Sequence, residues 1–229
     1  MCSRVLRRQS FDPTRISFPS EEHAITASPE HAPESERGEA RRQQVLNAAA
    51  DCFRDHGFHG TSIQRISLAA GMSPGHIYHY FENKEAIVAA IVRGYLRETM
   101  GIMEEIQRTS AQLGLVEAMV AQVAPGLALR SERGRIALVQ EILAEASRNE
   151  AIGEALRQAD HVVRKQMREL LQELPQMRAL STRELEARIT VMNTLFDGFS
   201  SRTLCDPGLN KAATARIVQG IMRTLLESS

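Results

Sequence analysis

Polar and ring-bearing side chains crowd into one short stretch, from Thr61 to Lys84. His76, Tyr78, His79 and Tyr80 fall within five residues of one another, with Gln64, Ser73 and Lys84 around them. Neither histidine has an acidic partner at a spacing that would make a catalytic dyad. Hydroxyls, an ammonium, an amide and imidazole edges are instead the groups that hold phosphate and read the edges of bases. The chemistry on offer is hydrogen bonding to a nucleic acid, with no bond made or broken.

Two short helices and the start of a third are needed to present these groups, and each has its own start signal. Thr61 is placed to cap the first, with Gln64 completing a capping box. Ile63, Ile66 and Ala70 share one helical face. Gly71 stops that helix because the turn needs positive φ, and Met72 plugs the turn. Ser73 caps the second helix, and Pro74 takes its first position, where a missing N–H costs nothing. Ile77 and Phe81 point inward at i, i+4, and Asn83 caps the third helix. A helix, a glycine turn and a second helix with polar and aromatic residues outward make a helix-turn-helix, whose second helix enters the DNA major groove. An earlier helix over 37–56 carries Leu46, Ala49 and Phe53 on one face, ends at Gly57 and braces the motif, with Phe58 placed for the apolar contact of that cap.

The stretch GFHGTSIQRISLAAGMSPGHIYHYFENKEAI resembles the DNA-binding segment of the TetR/AcrR family of bacterial one-component regulators. Gly57, Phe58, Thr61, Ser62, Ile66, Ala70 to Ser73, Gly75, Tyr78, Phe81, Lys84 and Glu85 carry the resemblance. It implies that Pro74, Gly75 and His76 meet the groove, with His79 on the same helix, and that Gln64 and Ser62 approach from the supporting helix. It also implies that Thr61, Ser73, Tyr78, Tyr80 and Lys84 clamp phosphate. Tyr80 can equally pack against the first helix, and His79 can be an ordinary surface residue. The family's fold is all-α, with a small head and a larger helical body that binds an effector and dimerises. The corresponding division here is a tail over 1–36, a head over 37–97 and a body over 98–229.

Net charge is +0, which is unusual for a DNA binder and demands a local basic footprint such as Arg37, Arg41 and Arg42. Cys2, Cys52 and Cys205 are scattered, with neither disulfide nor metal-ligand spacing, as suits a reducing cytoplasm. Cys52, His56 and His59 are read as a packed thiol near surface histidines rather than a metal site. No apolar run approaches the roughly 20 residues of a membrane helix, and no signal-peptide core is visible. The tail, with Pro13, Pro19, Pro29 and Pro33, reads as disordered, and Arg4, Arg7, Arg8 and Arg15 offer a minor-groove arm as an alternative to no role. No nucleophile elbow, phosphate loop or cofactor motif appears, so no catalytic residue and no cofactor is assigned.

The body reads as helices only. The third helix of the motif extends from Asn83 to about residue 107 and links head to body. Further helices are expected over 115–130, bent at Pro125-Gly126; over 133–148, with Ile136, Val139 and Leu143 inward; and over 150–174, ending at Pro175. The last two are expected over 182–202 and 211–226. Each of these has two apolar sides. Leu185, Ile189, Met192, Phe196 and Phe199 oppose Val191 and Leu195; Val218, Met222 and Leu226 lie beside Ile217, Ile221 and Leu225. Helices apolar on two sides need a second subunit, so a two-fold homodimer is expected. Met119, Val163, Met167, Met192 and Phe196 are the expected walls of a pocket for a lipophilic effector, with Asp160 or Asn193 as its polar contact. For Asp160, a local pair with Arg164 is the competing role, and His161 falls on the solvated side. The leading reading is a repressor released from a palindromic operator by that effector. A structural or division factor with a filled body core is the alternative.

Overall fold

The computed structural model describes residues 34–228. The expected tail and its arginines Arg4, Arg7, Arg8 and Arg15 therefore lie outside the described residues, apart from the last three tail positions, which already belong to the first helix. Among the described residues eleven helices and no strand are formed: α1 Glu34–Gly60, α2 Ile63–Ala70, α3 Pro74–Tyr80, α4 Lys84–Leu113, α5 Leu115–Ala121, α6 Val123–Arg130, α7 Arg133–Ala146, α8 Glu150–Leu171, α9 Pro175–Arg178, α10 Thr182–Cys205 and α11 Lys211–Glu227. The all-α expectation holds.

The local signals around the motif act as the residue types dictate, with one shift of register. Gly71 takes φ 62°, and the N–H groups of Gly71 and Met72 close α2 on the carbonyls of Leu68 and Ser67. The Ser73 hydroxyl accepts from the His76 N–H at 3.3 Å, and the Asn83 side chain accepts from the Ala86 N–H at 2.8 Å. The cap of α2 is Ser62, which accepts from the Arg65 N–H at 3.1 Å. Thr61, expected in that role, is buried and donates its hydroxyl to the Cys52 carbonyl at 3.0 Å. Continuous helical bonding in α1 breaks at Gly57 (φ 70°), beyond which the Phe58 ring stacks on Phe53 at 5.6 Å.

In the body, the boundaries move where a proline or a missing cap decides them. The expected bend at Pro125-Gly126 is a full break three residues earlier, at Gln122. Proline lacks the N–H that would bond the carbonyl of Ala121, and its ring crowds that carbonyl, so α6 begins afresh. The 150–174 helix stops at Leu171, and Pro175 opens the separate turn α9 instead. α4 runs 30 residues to Gly114, longer than expected, about 45 Å at the usual rise.

Two hydrophobic cores result. The first joins α1–α4 and is closed by Leu138 and Ile142 of α7 and Ile152 of α8, so it crosses the expected boundary at residue 97. The second gathers Ile106 of α4 with α5, α6, the end of α8, α9, α10 and α11. Arg188 is buried there and ties down the chain's end, donating to the carbonyls of Leu225 at 2.9 Å and Ser228 at 2.7 Å. On α10 and α11, Ile189, Met192, Val218, Met222 and Leu226 are buried, whereas Val191, Leu204, Ile217 and Ile221 are exposed.

Candidate functional site

The candidate recognition surface is α3, a seven-residue helix pinned to the first core by Ile77 and, just beyond its end, Phe81, both buried. With those two turned inward, Ser73, Pro74, Gly75, His76, Tyr78 and His79 are all exposed. His76 and Tyr80 stack one turn apart with centroids at 5.4 Å, and His76 Nε2 lies 3.3 Å from the Tyr80 hydroxyl. Tyr80 also packs partly against the first core, the packing role that was one of its two expected ones. On α2 and its cap, Ser62 and Gln64 are exposed beside α3. Lys and Arg outnumber Asp and Glu by eight to five across residues 37–97, which supplies a local basic excess within a neutral chain.

Two of the expected phosphate contacts are engaged inside the protein. Thr61 is buried, as described above, and acts by holding the end of α1 against α2. Lys84 donates to the carbonyls of Phe58 and Thr61, both at 2.8 Å, and lies 4.2 Å from the centre of the Phe58 ring. Its ammonium thus ties together the carbonyls of the corner between α1 and α2. A basic residue that motif matching passed over takes the exposed position: Arg65 on α2 is exposed and braced by the Gly60 carbonyl at 2.9 Å. Cys52 is buried, and that burial pushes its thiol pKa up, as befits a packed group.

A body helix grips the head at the corner after α1. The Phe58 N–H donates to Glu141 of α7 at 2.6 Å, and His59 Nε2 lies 3.1 Å from the buried Glu145 of the same helix. Gly134, Leu138, Glu141 and Glu145 recur at helical spacing, so one face of α7 lies along α1. Its other face, with Ile136, Val139, Gln140 and Leu143, lines a cavity of about 400 Å³ between α4, α7, α8 and α10. This explains why Leu143, expected to be packed inward, is exposed: it borders open space.

The cavity has apolar walls from Val92, Leu96, Leu156 and Val163 and a polar side from Arg130, Asp160, Asn193, Asp197 and Ser200. Of the seven expected pocket residues, Asp160, Val163 and Asn193 are there. Met119 and Met192 are buried in the second core, and Met167 and Phe196 pack against it. The apolar stripes were real, but their methionines fill space between α5, α10 and α11 rather than line the opening. Asp160 is not paired with Arg164, which instead reaches Glu186 at 2.7 Å and Thr190 at 3.1 Å. Arg135 stacks on Tyr95 at 4.0 Å and pairs with Glu98, forming a wall between this cavity and a broad open cleft beside α1. Arg130, Asp197 and Tyr95 were missed by sequence reasoning, since no local pattern marks residues that converge from α6, α10 and α4.

Comparison with known proteins agrees with this geometry. The profile of the family described as "Bacterial regulatory proteins, tetR family" matches residues 45–91. The HTH-type transcriptional regulator UidR of Escherichia coli K12 is 33% identical over 117 residues, covering 51% of this chain and 57% of UidR. The chain thus spans little more than half the length of the curated relatives it matches first. The solved structure of Salmonella enterica GusR superposes with a TM-score of 0.69 at 26% identity, over 82% of this chain and 96% of GusR. FadR of Bacillus subtilis in complex with stearoyl-CoA shares the fold, with a TM-score of 0.63 at 16% identity, over 81% of this chain and 98% of FadR.

Proposed function

We propose that the chain is a TetR-type DNA-binding transcriptional regulator, a repressor that leaves an inverted-repeat operator when a small molecule fills the cavity of its body, a reading supported by the family profile over residues 45–91 and by the likeness to UidR and GusR. One observation carries the reading: the seven residues of α3 stand on buried Ile77 with His76, Tyr78 and His79 outward, next to exposed Gln64 and Arg65. In this reading residues 37–97 bind DNA and 98–229 bind the effector and dimerise, with double-stranded DNA in the cytoplasm as the target. His76 and Gln64 read base edges, while Ser62, Arg65, Ser73 and Tyr78 hold phosphate.

The cavity favours an effector-released regulator over a structural factor, whose body would be filled. FadR, of the same fold, is a precedent with its stearoyl-CoA. The mixed lining suits an amphiphile, a lipophilic molecule that carries a larger polar part than the single contact expected from sequence. Two elements connect cavity to head: α4, which spans both, and α7, which lies between them. A filled cavity that moves α7 changes the setting of the two heads and spoils their fit to half-sites spaced by whole turns of DNA.

The test is selection of bound sequences from random duplexes by the purified full chain. Enriched sequences should contain an inverted repeat, and His76→Ala should relax preference at one position per half-site, by about 1–3 kcal/mol. Enrichment without two-fold symmetry, or unchanged preference in His76→Ala, would overturn the assignment.

A further inference from the structure

The cavity contains one cation without a proper partner. Arg130, at the end of α6, donates no hydrogen bond to any described residue, although a guanidinium carries five donors in a fixed fork. Its nearest carboxylate oxygen belongs to Asp197 at 3.9 Å, beyond hydrogen-bond reach. Asp197 itself is turned to solvent, with 79% of its side chain accessible against 26% for Arg130. One face of the guanidinium is closed by the Phe196 ring, 5.0 Å from its centre. That ring can sit so close because Gly126, one turn before Arg130, has no side chain; a Cβ there would stand 3.1 Å from it.

The other charged groups of the cavity are provided for. Arg135 has Glu98 and the Tyr95 ring, and Asp160 is exposed to water. The cavity charge that is partly shielded from water and has no hydrogen-bonding protein partner is therefore positive. Burial drives the Arg130 pKa down, the Asp197 charge raises it, and the neighbouring Arg135 lowers it further. Its guanidinium nitrogens keep some contact with solvent and have no hydrogen-bonding protein acceptor, so an anion in the cavity can engage them through paired, charge-assisted hydrogen bonds.

We propose that the cavity is an anion site: it takes a small amphiphile whose carboxylate or phosphate head is received by Arg130 and whose apolar part lies against Val92, Leu96, Leu156 and Val163. This deepens the effector reading above and rests on it only for the consequence to DNA binding. Asp160, the expected polar contact, then lies at the rim and repels a second negative charge.

The experiment uses the full chain with isotope-labelled arginine, following the Arg130 Nε–Hε resonance, identified by its absence in Arg130→Lys. The probes are benzoate, phenyl phosphate, benzyl alcohol and benzylamine. Benzoate or phenyl phosphate should shift the resonance saturably, and the preferred one separates a carboxylate from a phosphate head. The alcohol and the amine should leave it in place. Arg130→Gln should weaken the preferred anion by tenfold or more in calorimetry, with Arg130→Lys intermediate. A structural arginine would be destabilised by replacement, whereas a binding arginine held unpaired predicts that ligand-free Arg130→Met keeps or raises its Tm. Silence from both anions up to about 10 mM, the weak limit of specific binding, sinks the proposal. So does benzylamine binding that disappears in Asp160→Asn or Asp197→Asn. Anion binding through Arg130 that leaves operator affinity unchanged supports the site and overturns effector release. Release by compounds that never touch Arg130 does the reverse.

Discussion

Lys84 shows how a side chain can stand at a DNA-binding edge and act through the protein's own backbone. Its two carbonyl partners, Phe58 and Thr61, lie 26 and 23 residues away, and a hydrogen bond from a charged donor contributes about 1.5–3 kcal/mol. Lys84→Met should therefore lower unfolding stability by about 1–3 kcal/mol in urea titrations while leaving the salt dependence of DNA binding nearly unchanged. Arg65→Ala, at an exposed site, should reduce the slope of log K against log salt by about one. The opposite pairing of effects would return Lys84 to the phosphate. Residue type was legible at both positions; what spacing could not supply was the partner across the fold. The same holds for adjacent Thr61 and Ser62, where burial of one hydroxyl decided which of them caps α2. Tyr95 offers a test by pH. Its pKa is pushed up to about 12, first by burial, then lowered by Arg135 and raised by Glu98 and Glu132. In the unfolded chain it titrates near its ordinary value, about 10. The folded state thus holds the proton more tightly, so stability is full below pH ~10 and falls as pH rises toward ~12, by about 2–3 kcal/mol. Alkaline denaturation should be correspondingly shallower in Tyr95→Phe, and that variant should lose the tyrosinate absorbance step near pH 12.

At the scale of the element, α7 has the position a transmission part requires. One face closes the head's core with Leu138 and Ile142 and holds the corner after α1 with Glu141 and Glu145; the other borders the cavity. Its periodicity was legible, and Ile136 is buried as expected. Periodicity gives a face its direction, though, and says nothing of whether that face meets a filled core or an opening, which is why Leu143 was misplaced. The caps of α3 and α4, the glycine turn and the two-sided character of α10 and α11 were legible because each depends on neighbours within one or two turns. Glu141→Ala should leave the Phe58 N–H without an acceptor at a cost of about 1–3 kcal/mol. Amide exchange at Phe58 should accelerate markedly, with smaller changes in α10 and α11. Uniform acceleration across the chain would mean that α7 supports global stability and has no special hold on the head.

For the whole molecule, the outstanding feature is the apolar surface the chain leaves uncovered. Ile217 is 66% exposed, Val191 45%, Leu204 41% and Ile221 39%, all on α10 and α11, while the opposite sides of the same helices are packed inside. Ile217 and Ile221 lie one turn apart on α11, and such exposed apolar groups mark an association surface; in the proposed dimer a two-fold pairing of α10 and α11 with their copies would cover it in both subunits. Because these side chains contribute little to the chain's own core, a double change Ile217→Glu and Ile221→Glu should yield a folded monomer, recognised by sedimentation with helical content retained. Met222→Glu, one position from Ile221 but buried, should instead unfold the body. The functional consequence follows from tethering: a dimer binds its second half-site at high effective concentration, so the monomer's affinity for an inverted repeat should fall about 10²–10⁴-fold, toward that for a single half-site. Half-site affinity itself should hardly change, since α2 and α3 keep their support from the first core. A double variant that still sediments as a dimer would place the interface elsewhere, and one that is monomeric with full operator affinity would remove the two-fold site from the mechanism.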